Sequence, residues 1–442
     1  MRSRGTTNSL GKPRKDTFAG VPAGVRRHKP DFMIVVYMGI LMLIGLIVMY
    51  AIGPSRANVL NQAYGTDFYT GTYFFVKQSA SLAIAVVAFI LMAKIPYSLF
   101  FKHAGKILMV GFIACFLLLV FGNLFHVEAI AQCSLGACRW FSLGPFGSLQ
   151  PAELLKFGML LFLAGFLGLR YRQGLINDIN KTLVPVGALM GAIMLFVIIF
   201  EKDMGTGIVM SLMVLAMLVA TGMKWKIIAS VVGVVVLLGV LMIVTSPHRM
   251  ERITTFFKGD STAVQINDEN YHIKHAKIAI GTGGIMGVGI GNSVEATGYL
   301  PEAINDSIFA IMGETFGFVG LVAILLLFTA LLMRILKVSD HMLDPSLRLL
   351  VVGIFTWLGA HVIINVAAMT GVFPLTGITL PLLSFGGSSM LFMAAALGLA
   401  FQLSRYSVHG SKLKEISYED SSSGRGIGRS RDTRRRSSQR AA

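Results

Sequence analysis

Long uncharged stretches alternate with short polar ones along this chain. Apolar windows run over roughly 32–52, 74–95, 107–125, 152–170, 182–200, 204–222, 225–245, 307–335, 347–370 and 388–405. Each is near the ~20 residues that a helix needs to cross a hydrocarbon core. Backbone groups in such a core must bond within their own segment, so each window is predicted to be helical. The expected fold class is all-α: a polytopic membrane protein with about ten transmembrane helices. The linkers alternate as well. Those after the second, fourth, sixth and eighth windows hold Lys94, Lys102, Lys106, Arg170, Arg172, Lys224, Lys226, Arg334 and Lys337, while those after the first, third and ninth hold little basic charge. Basic residues favour the cytoplasmic side, which puts both termini there. Two long linkers, about 126–151 and 246–306, are then extracytoplasmic. The larger joins windows seven and eight. Its apolar stretches alternate with HRMERITTFFKGD, so it is expected to lie on the membrane or fold back into the bundle.

Composition changes this picture only in places. A mean hydropathy of +0.70 with 14% charged residues excludes a soluble enzyme. The net charge of +17 would suit nucleic acid, but the basic residues gather in the first thirty residues, the short loops and the tail. That is a membrane-sidedness pattern, and no nucleic-acid partner is expected. Three parts follow: a basic cytoplasmic segment over 1–31, a transmembrane domain over 32–405, and a disordered basic cytoplasmic tail over 406–442 that contains SSSGRGIGRSRDTRRRSSQR. Arg26, Arg27 and Lys29 precede the first window and no small-residue cleavage site follows it, so this window is expected to stay as a span. Cys115 lies in an apolar window and is expected to pack. Cys133 and Cys138 lie in an outer loop, where a disulfide is permitted. No internal repeat is visible, which weakens a transporter built from inverted halves.

Ionisable residues at membrane depth are costly and face a cavity or a partner. Several cluster at the outer ends of the windows. QPAELLK brings Gln150, Glu153 and Lys156, the last two on one helix face. FEKDMG brings Glu201, Lys202 and Asp203; the outer loops add Arg139, Arg252 and Asp306. One reading is a set of internal ion pairs, at least as good for Glu153 with Lys156 as a direct ligand role. For the whole set, a polar cavity is the better reading. Arg139, Lys156 and Arg252 could neutralise a phosphate or pyrophosphate. PLLSFGGSSM, with Ser384 and Ser388, opens window ten. It reads equally as an anion-binding helix start or as a close helix crossing. GTGGIMGVGIG is out of register with a dinucleotide fingerprint, and no strand precedes it. His272 and His275 form H-x-x-H, with nothing in sequence to complete a metal site. Asp306 precedes window eight, where it reads either as a helix cap or as a general base.

Four blocks resemble one family. They are GACRWFSLGPFGSLQPAELLK, KDMGTG, the stretch from YHIKHAKIAIGTGGIMGVGIG to YLPEAINDSIFAIMGETFGFVG, and NVAAMTGVFPLTGITLPLLSFGGSS. In this order they resemble the SEDS glycosyltransferases (shape, elongation, division and sporulation), over roughly residues 30–408 and closest to the FtsW branch. The resemblance implies polymerisation of lipid II, an undecaprenyl pyrophosphate-linked disaccharide peptide, into glycan strands at the outer face of a bacterial plasma membrane. It implies a class B penicillin-binding protein and other divisome proteins as partners, and a place at the division septum. It maps the proposed base onto Asp306, with Arg139, Glu153, Lys156, Asp203, Arg252, Ser384 and Ser388 around the substrate. Glu302 is expected to shape the loop, and Glu314 to be a structural polar residue. No cofactor is required, though a divalent cation would have a role beside the pyrophosphate. The chain departs from the family pattern at Lys202 (Pro), His272 (Gln), Ile304 (His) and Ser307 (Phe). Competing readings are a RodA-type elongation polymerase, a transporter of the lipid-linked precursor, and a non-catalytic scaffold.

Overall fold

The computed structural model describes residues 29–127, 130–134, 137–142, 144, 147–244, 250 and 268–407. Its helices are α1 (Met33–Tyr64), α2 (Tyr73–Lys94), α3 (Tyr97–Leu118), α4 (Pro151–Arg172), α5 (Val184–Met194), α6 (Met204–Ala220), α7 (Trp225–Val244), α8 (Asp268–Thr282), α9 (Ile308–Asp340), α10 (Pro345–Met369) and α11 (Gly387–Leu403). π-helical turns extend α3 to Leu124 and lengthen α5 at both ends, to Ile179 and Phe200. Among the described residues, eight of these helices, with their extensions, are long and apolar enough to cross a membrane; α6 and α7 are further apolar helices. The protein is a multi-pass helical membrane protein.

Two of the expected boundaries move, each for a local reason. The first helix was expected to end near residue 52 but runs three turns further, through Pro54. It stops at Gly65, which takes a left-handed conformation and donates its N–H to Asn61 O. The Asn61 side chain then exchanges two hydrogen bonds with the backbone of Tyr69, at 2.9 and 3.0 Å, which fixes the turn. The third helix starts at Tyr97 rather than near 107. Lys102 and Lys106 signal a loop in sequence, but both are exposed on a helix whose Tyr97, Phe101, Ala104 and Leu108 form a buried stripe.

Three helices form the centre. In α4, α10 and α11, 78%, 72% and 78% of the most apolar stretch is buried, against 17% in the span containing α5. With lipid as solvent, helices gain little from burying apolar surface, so close packing and internal hydrogen bonds hold such a bundle.

The described parts of both long linkers are structured. The first carries a small antiparallel sheet, β1 (Ala131–Ser134), β2 (Ala137–Ser142) and β3 (Ser148–Leu149), in that order. Cys133 lies opposite Cys138 across β1 and β2, and the two form a disulfide. Cys115 is buried, as expected for a packing residue. In the second linker, residues 268–306 fold back onto the bundle. α8 packs on α9, and the glycine-rich turn after it enters a break in α9. At that break Gly317 has φ 66°. Phe318 N donates to Gly284 O at 2.9 Å and Val319 N to Ile285 O at 3.1 Å, while Val288 N and Gly289 N bond Glu314 O and Thr315 O. The broken helix thus regains its hydrogen bonds from the turn, as irregular backbone beside a membrane requires.

A Cβ on Gly317 would stand 2.3 Å from Gly287 N. Gly317→Ala adds that clash to a backbone conformation costing about 1–3 kcal/mol for other residues. The variant is expected to unfold at clearly lower temperature in detergent. Gly39→Ala, whose Cβ meets nothing within 4 Å, is expected to match the wild type.

Candidate active site

One end of the bundle collects the starts of α4, α6, α9 and α11 and the end of α10. This is the end assigned to the outer side by the charge pattern. An extended segment, residues 372–380, links α10 to the turn before α11 and runs through the middle of this end. The start of α6 rests on it: a Cβ on Gly205 would meet Ile378 Cγ1 at 2.6 Å and Thr376 O at 2.9 Å. The turn before α9 rests on its other side, with Asp306 Oδ2 4.0 Å from a Cβ placed on Gly377. Asn365 of α10 joins the two. Its Nδ2 donates to Asp306 O and to Ile378 O, both at 2.7 Å.

Asp306 is buried, 9% exposed, and its Oδ1 accepts no hydrogen bond among the described residues. Burial, with the charge of nearby Glu302 adding to it, pushes its pKa up to about 7. The cap reading available in sequence does not hold, since the N-cap position of α9 is Ser307 and no side chain caps the helix there. Glu302 is exposed, with φ 47°. Its carbonyl accepts the N–H groups of Asn305 and Ser307, and its side chain accepts from Asn305 Nδ2. It shapes the loop. Glu314 is buried inside α9 and accepts Ser293 Oγ at 2.5 Å and Val294 N at 2.9 Å, plus longer bonds from Glu295 N. Those are the free N–H groups of a short helical turn, so Glu314 holds the glycine-rich loop to α9.

A second group lies across the extended segment. Asp203 caps α6: Oδ1 accepts Thr206 N at 2.9 Å, and Oδ2 accepts Thr206 Oγ1 at 2.8 Å and Gln150 Nε2 at 3.1 Å. Arg139 reaches from β2 to the same turn and donates to Glu201 O at 3.0 Å and Lys202 O at 2.8 Å. The Glu201 carboxyl is enclosed near Cys115, Arg139 and Glu153. Burial first, then the charge of Asp203, pushes it up to about 8, so it is neutral at pH 7. Lys156 is fully enclosed. Its ammonium donates to Glu153 Oε1 at 2.8 Å and His361 Nε2 at 3.4 Å, and stands 5.1 Å from the centre of the Trp357 ring. Since Lys156 can only donate, His361 carries its hydrogen on Nδ1, which faces Thr379 O at 3.4 Å.

Ser384 is buried in the turn before α11. Its hydroxyl accepts Leu380 N at 2.8 Å, and its carbonyl accepts Gln78 Nε2 at 3.2 Å. Ser388 is buried in the first turn of α11. The close crossing of α11 with α2 lies about three turns further along, where a Cβ on Gly398 would stand 2.5 Å from Phe89 O. Arg139, Glu153, Lys156, Asp203, Asp306, Ser384 and Ser388 therefore converge on one end, while Arg252 lies outside the described residues. The two histidines of H-x-x-H part company. His272 faces Ser307, and His275 Nδ1 pairs with Glu295 Oε2 at 2.8 Å. Among the described residues no three His, Cys, Asp or Glu side chains come together to hold a metal. The sequence reading assigned nothing to His361, Trp357 or Asn365. The signal present was an imidazole and an amide four residues apart inside an apolar window, which at membrane depth calls for partners.

Comparison with known proteins agrees with this architecture. The family model for cell cycle proteins of the FtsW, RodA and SpoVE type matches residues 31–409. Stage V sporulation protein E of Bacillus subtilis is 33% identical over 387 residues, 86% of this chain and 99% of that protein. The "Probable peptidoglycan glycosyltransferase FtsW" of Coxiella burnetii is 32% identical over 384 residues, 84% of this chain and 95% of its own. A solved chain of a peptidoglycan synthase complex that coordinates polymerization and crosslinking shares the fold, with a TM-score of 0.66 at 23% identity over 85% of this chain and 98% of that one. With the four sequence blocks gathered at one end of a shared helical bundle, this chain belongs to the FtsW/RodA/SpoVE family.

Proposed function

We propose that this protein is a peptidoglycan glycosyltransferase that polymerises lipid II at the outer face of a bacterial plasma membrane, with Asp306 as general base. The observation that carries the reading is Asp306 itself: a buried carboxylate with one oxygen uncommitted, titrating near neutrality, on a turn held from several sides. Asp203, Glu314 and Glu153 have acceptor duties, to the start of α6, to the loop and to Lys156, while Glu201, whose two oxygens also lack a hydrogen bond among the described residues, is pushed higher, to about 8, and sits behind the Asp203 turn beside Cys115 and Arg139. A base is most effective when its pKa lies near the working pH. Asp306 takes the proton from the acceptor's GlcNAc 4-hydroxyl as that oxygen attacks the anomeric carbon of the lipid-linked donor. The new glycosidic bond forms with inversion, and the pyrophosphate leaves with the bonding electrons.

The cations divide the remaining work. Arg139 is half-buried and keeps donors beyond its two carbonyl bonds, which suits it to a pyrophosphate oxygen. Arg252 is the second cation of this reading, from sequence alone. Lys156 is sealed in, so it acts by holding Glu153 and His361 against residues 372–380. Asp203, Ser384 and Ser388 build the walls of the site. The names of the relatives support the reaction class, and the synthase complex that shares the fold supports a class B penicillin-binding protein as partner. We assign 32–405 as the membrane domain, with basic cytoplasmic segments over 1–31 and 406–442, and place the protein at the division septum. A fluorescent fusion is expected at midcell; signal along the lateral wall would favour elongation instead.

Purified protein with its cognate penicillin-binding protein is expected to make long glycan strands from labelled lipid II. Asp306→Asn is expected to lower the rate by about 10²-fold or more. Strands from the Asn variant at the wild-type rate would refute the base assignment. The wild-type rate should rise with pH through an inflection near 7, because Asp306 is protonated and inactive below its pKa and ionised above it. A rate that is flat between pH 5.5 and 8 would count against Asp306 as the titrating group.

A further inference from the structure

Two positions at which this chain departs from the family pattern, His272 and Ser307, meet in space. They lie 35 residues apart in sequence, and His272 Nε2 is 2.5 Å from Ser307 Oγ. The direction of this bond follows from counting hydrogens. The Ser307 hydroxyl has one, and two acceptors, Pro301 O at 2.8 Å and the Asp306 carboxyl, already share it. His272 must therefore donate, which places a hydrogen on Nε2. Burial lowers the pKa of this ring, so it is neutral at pH 7 and is the Nε2–H tautomer. The relay runs from α8, through Ser307, to the start of the turn that carries Asp306.

This relay is one of two holds on that turn. Asn365 grips the carbonyl of Asp306 from α10. His272 grips the next residue from α8, and Ser307 N also bonds Glu302 O. The second hold reaches the carboxylate itself, since Ser307 bonds it through its N–H and its hydroxyl, while Asp306 Oδ1 stays without a partner among the described residues. Ser307 is fully buried, so its hydroxyl has no water to turn to if the imidazole is lost.

We propose that His272 is a positioning residue, which sets the orientation of the Asp306 carboxylate through Ser307 and Pro301. The proposal rests on Asp306 being the base, and it makes the histidine and serine one functional unit, matched to each other in this chain. Residues that act as a unit lose activity together, so their substitutions do not multiply. A displaced base lowers turnover more than it weakens substrate binding.

The test measures lipid II polymerisation by His272→Leu, Ser307→Ala, the double variant and His272→Gln, beside Asp306→Asn, in the complex with the penicillin-binding protein. His272→Leu and Ser307→Ala are each expected to lower kcat by roughly 10-fold or more with KM little changed. The double variant should fall no further than the lower single. His272→Gln, which restores an N–H donor, should recover much of the loss and guards against a folding defect in the leucine variant. Single variants with wild-type kcat, losses that multiply, or a glutamine variant no better than leucine would each overturn the proposal. If Asp306→Asn stays active, the base assignment fails. If it is inactive while His272→Leu keeps full turnover, only the positioning role fails.

Discussion

Irregular backbone at the edge of a membrane must find its hydrogen-bond partners inside the protein, and the functional end of this bundle is arranged around that demand. Four non-helical pieces meet there: the sheet linker, the glycine-rich turn, the turn before α9 and the extended segment after α10. Each is tied down by a polar side chain from a neighbour. Asn365 bridges Asp306 O and Ile378 O, Arg139 takes two carbonyls at the end of the α5 span, Glu314 takes the N–H groups after Ser293, and Gln78 takes Ser384 O. The site is an outcome of these ties, because they bring distant pieces of chain to fixed positions around one carboxylate.

Charge follows the same rule. A buried ion left alone is very costly, while a paired and hydrogen-bonded one is tolerable. Lys156 therefore comes with Glu153, His361 and the face of Trp357, and Glu201 avoids the cost by staying neutral. Asp306 is the exception that the fold maintains. Its backbone is held by Asn365 and its carboxyl by Ser307, while Oδ1 keeps no partner among the described residues, a division suited to a group that must be fixed in place and accept a proton from a ligand. The neighbouring Glu302 favours the protonated form and helps bring the group to the middle of the physiological pH range.

The positions of the helices in sequence were readable because apolar windows of membrane length have few alternative folds. Where the reading moved, at the end of α1 and the start of α3, amphipathic or polar residues continue a helix beyond the apolar window. The strands over 131–149 were not readable, since a short hairpin closed by Cys133 and Cys138 has too few residues to show a period. The candidate site was readable as residue types in four blocks. Its internal division of labour was not. Glu153 with Lys156 could be paired or free, and Ser384 could meet an anion or its own turn, since each choice depends on a partner far away in sequence.

By itself, the sequence determined a polytopic helical bundle, the alternation of basic and uncharged linkers, the family pattern and the set of polar residues that had to be accounted for. Those properties are local, being set by hydropathy, charge and spacing along the chain. Tertiary structure alone decided which carboxylate oxygens are engaged and that Asp306 keeps one without a partner among the described residues, that His272 meets Ser307, and that Asn365 fastens the Asp306 turn to the segment after α10. Those properties depend on contacts between residues from 13 to more than 200 positions apart, which form only when the helices pack and the excluded water leaves each polar group to the partner within reach.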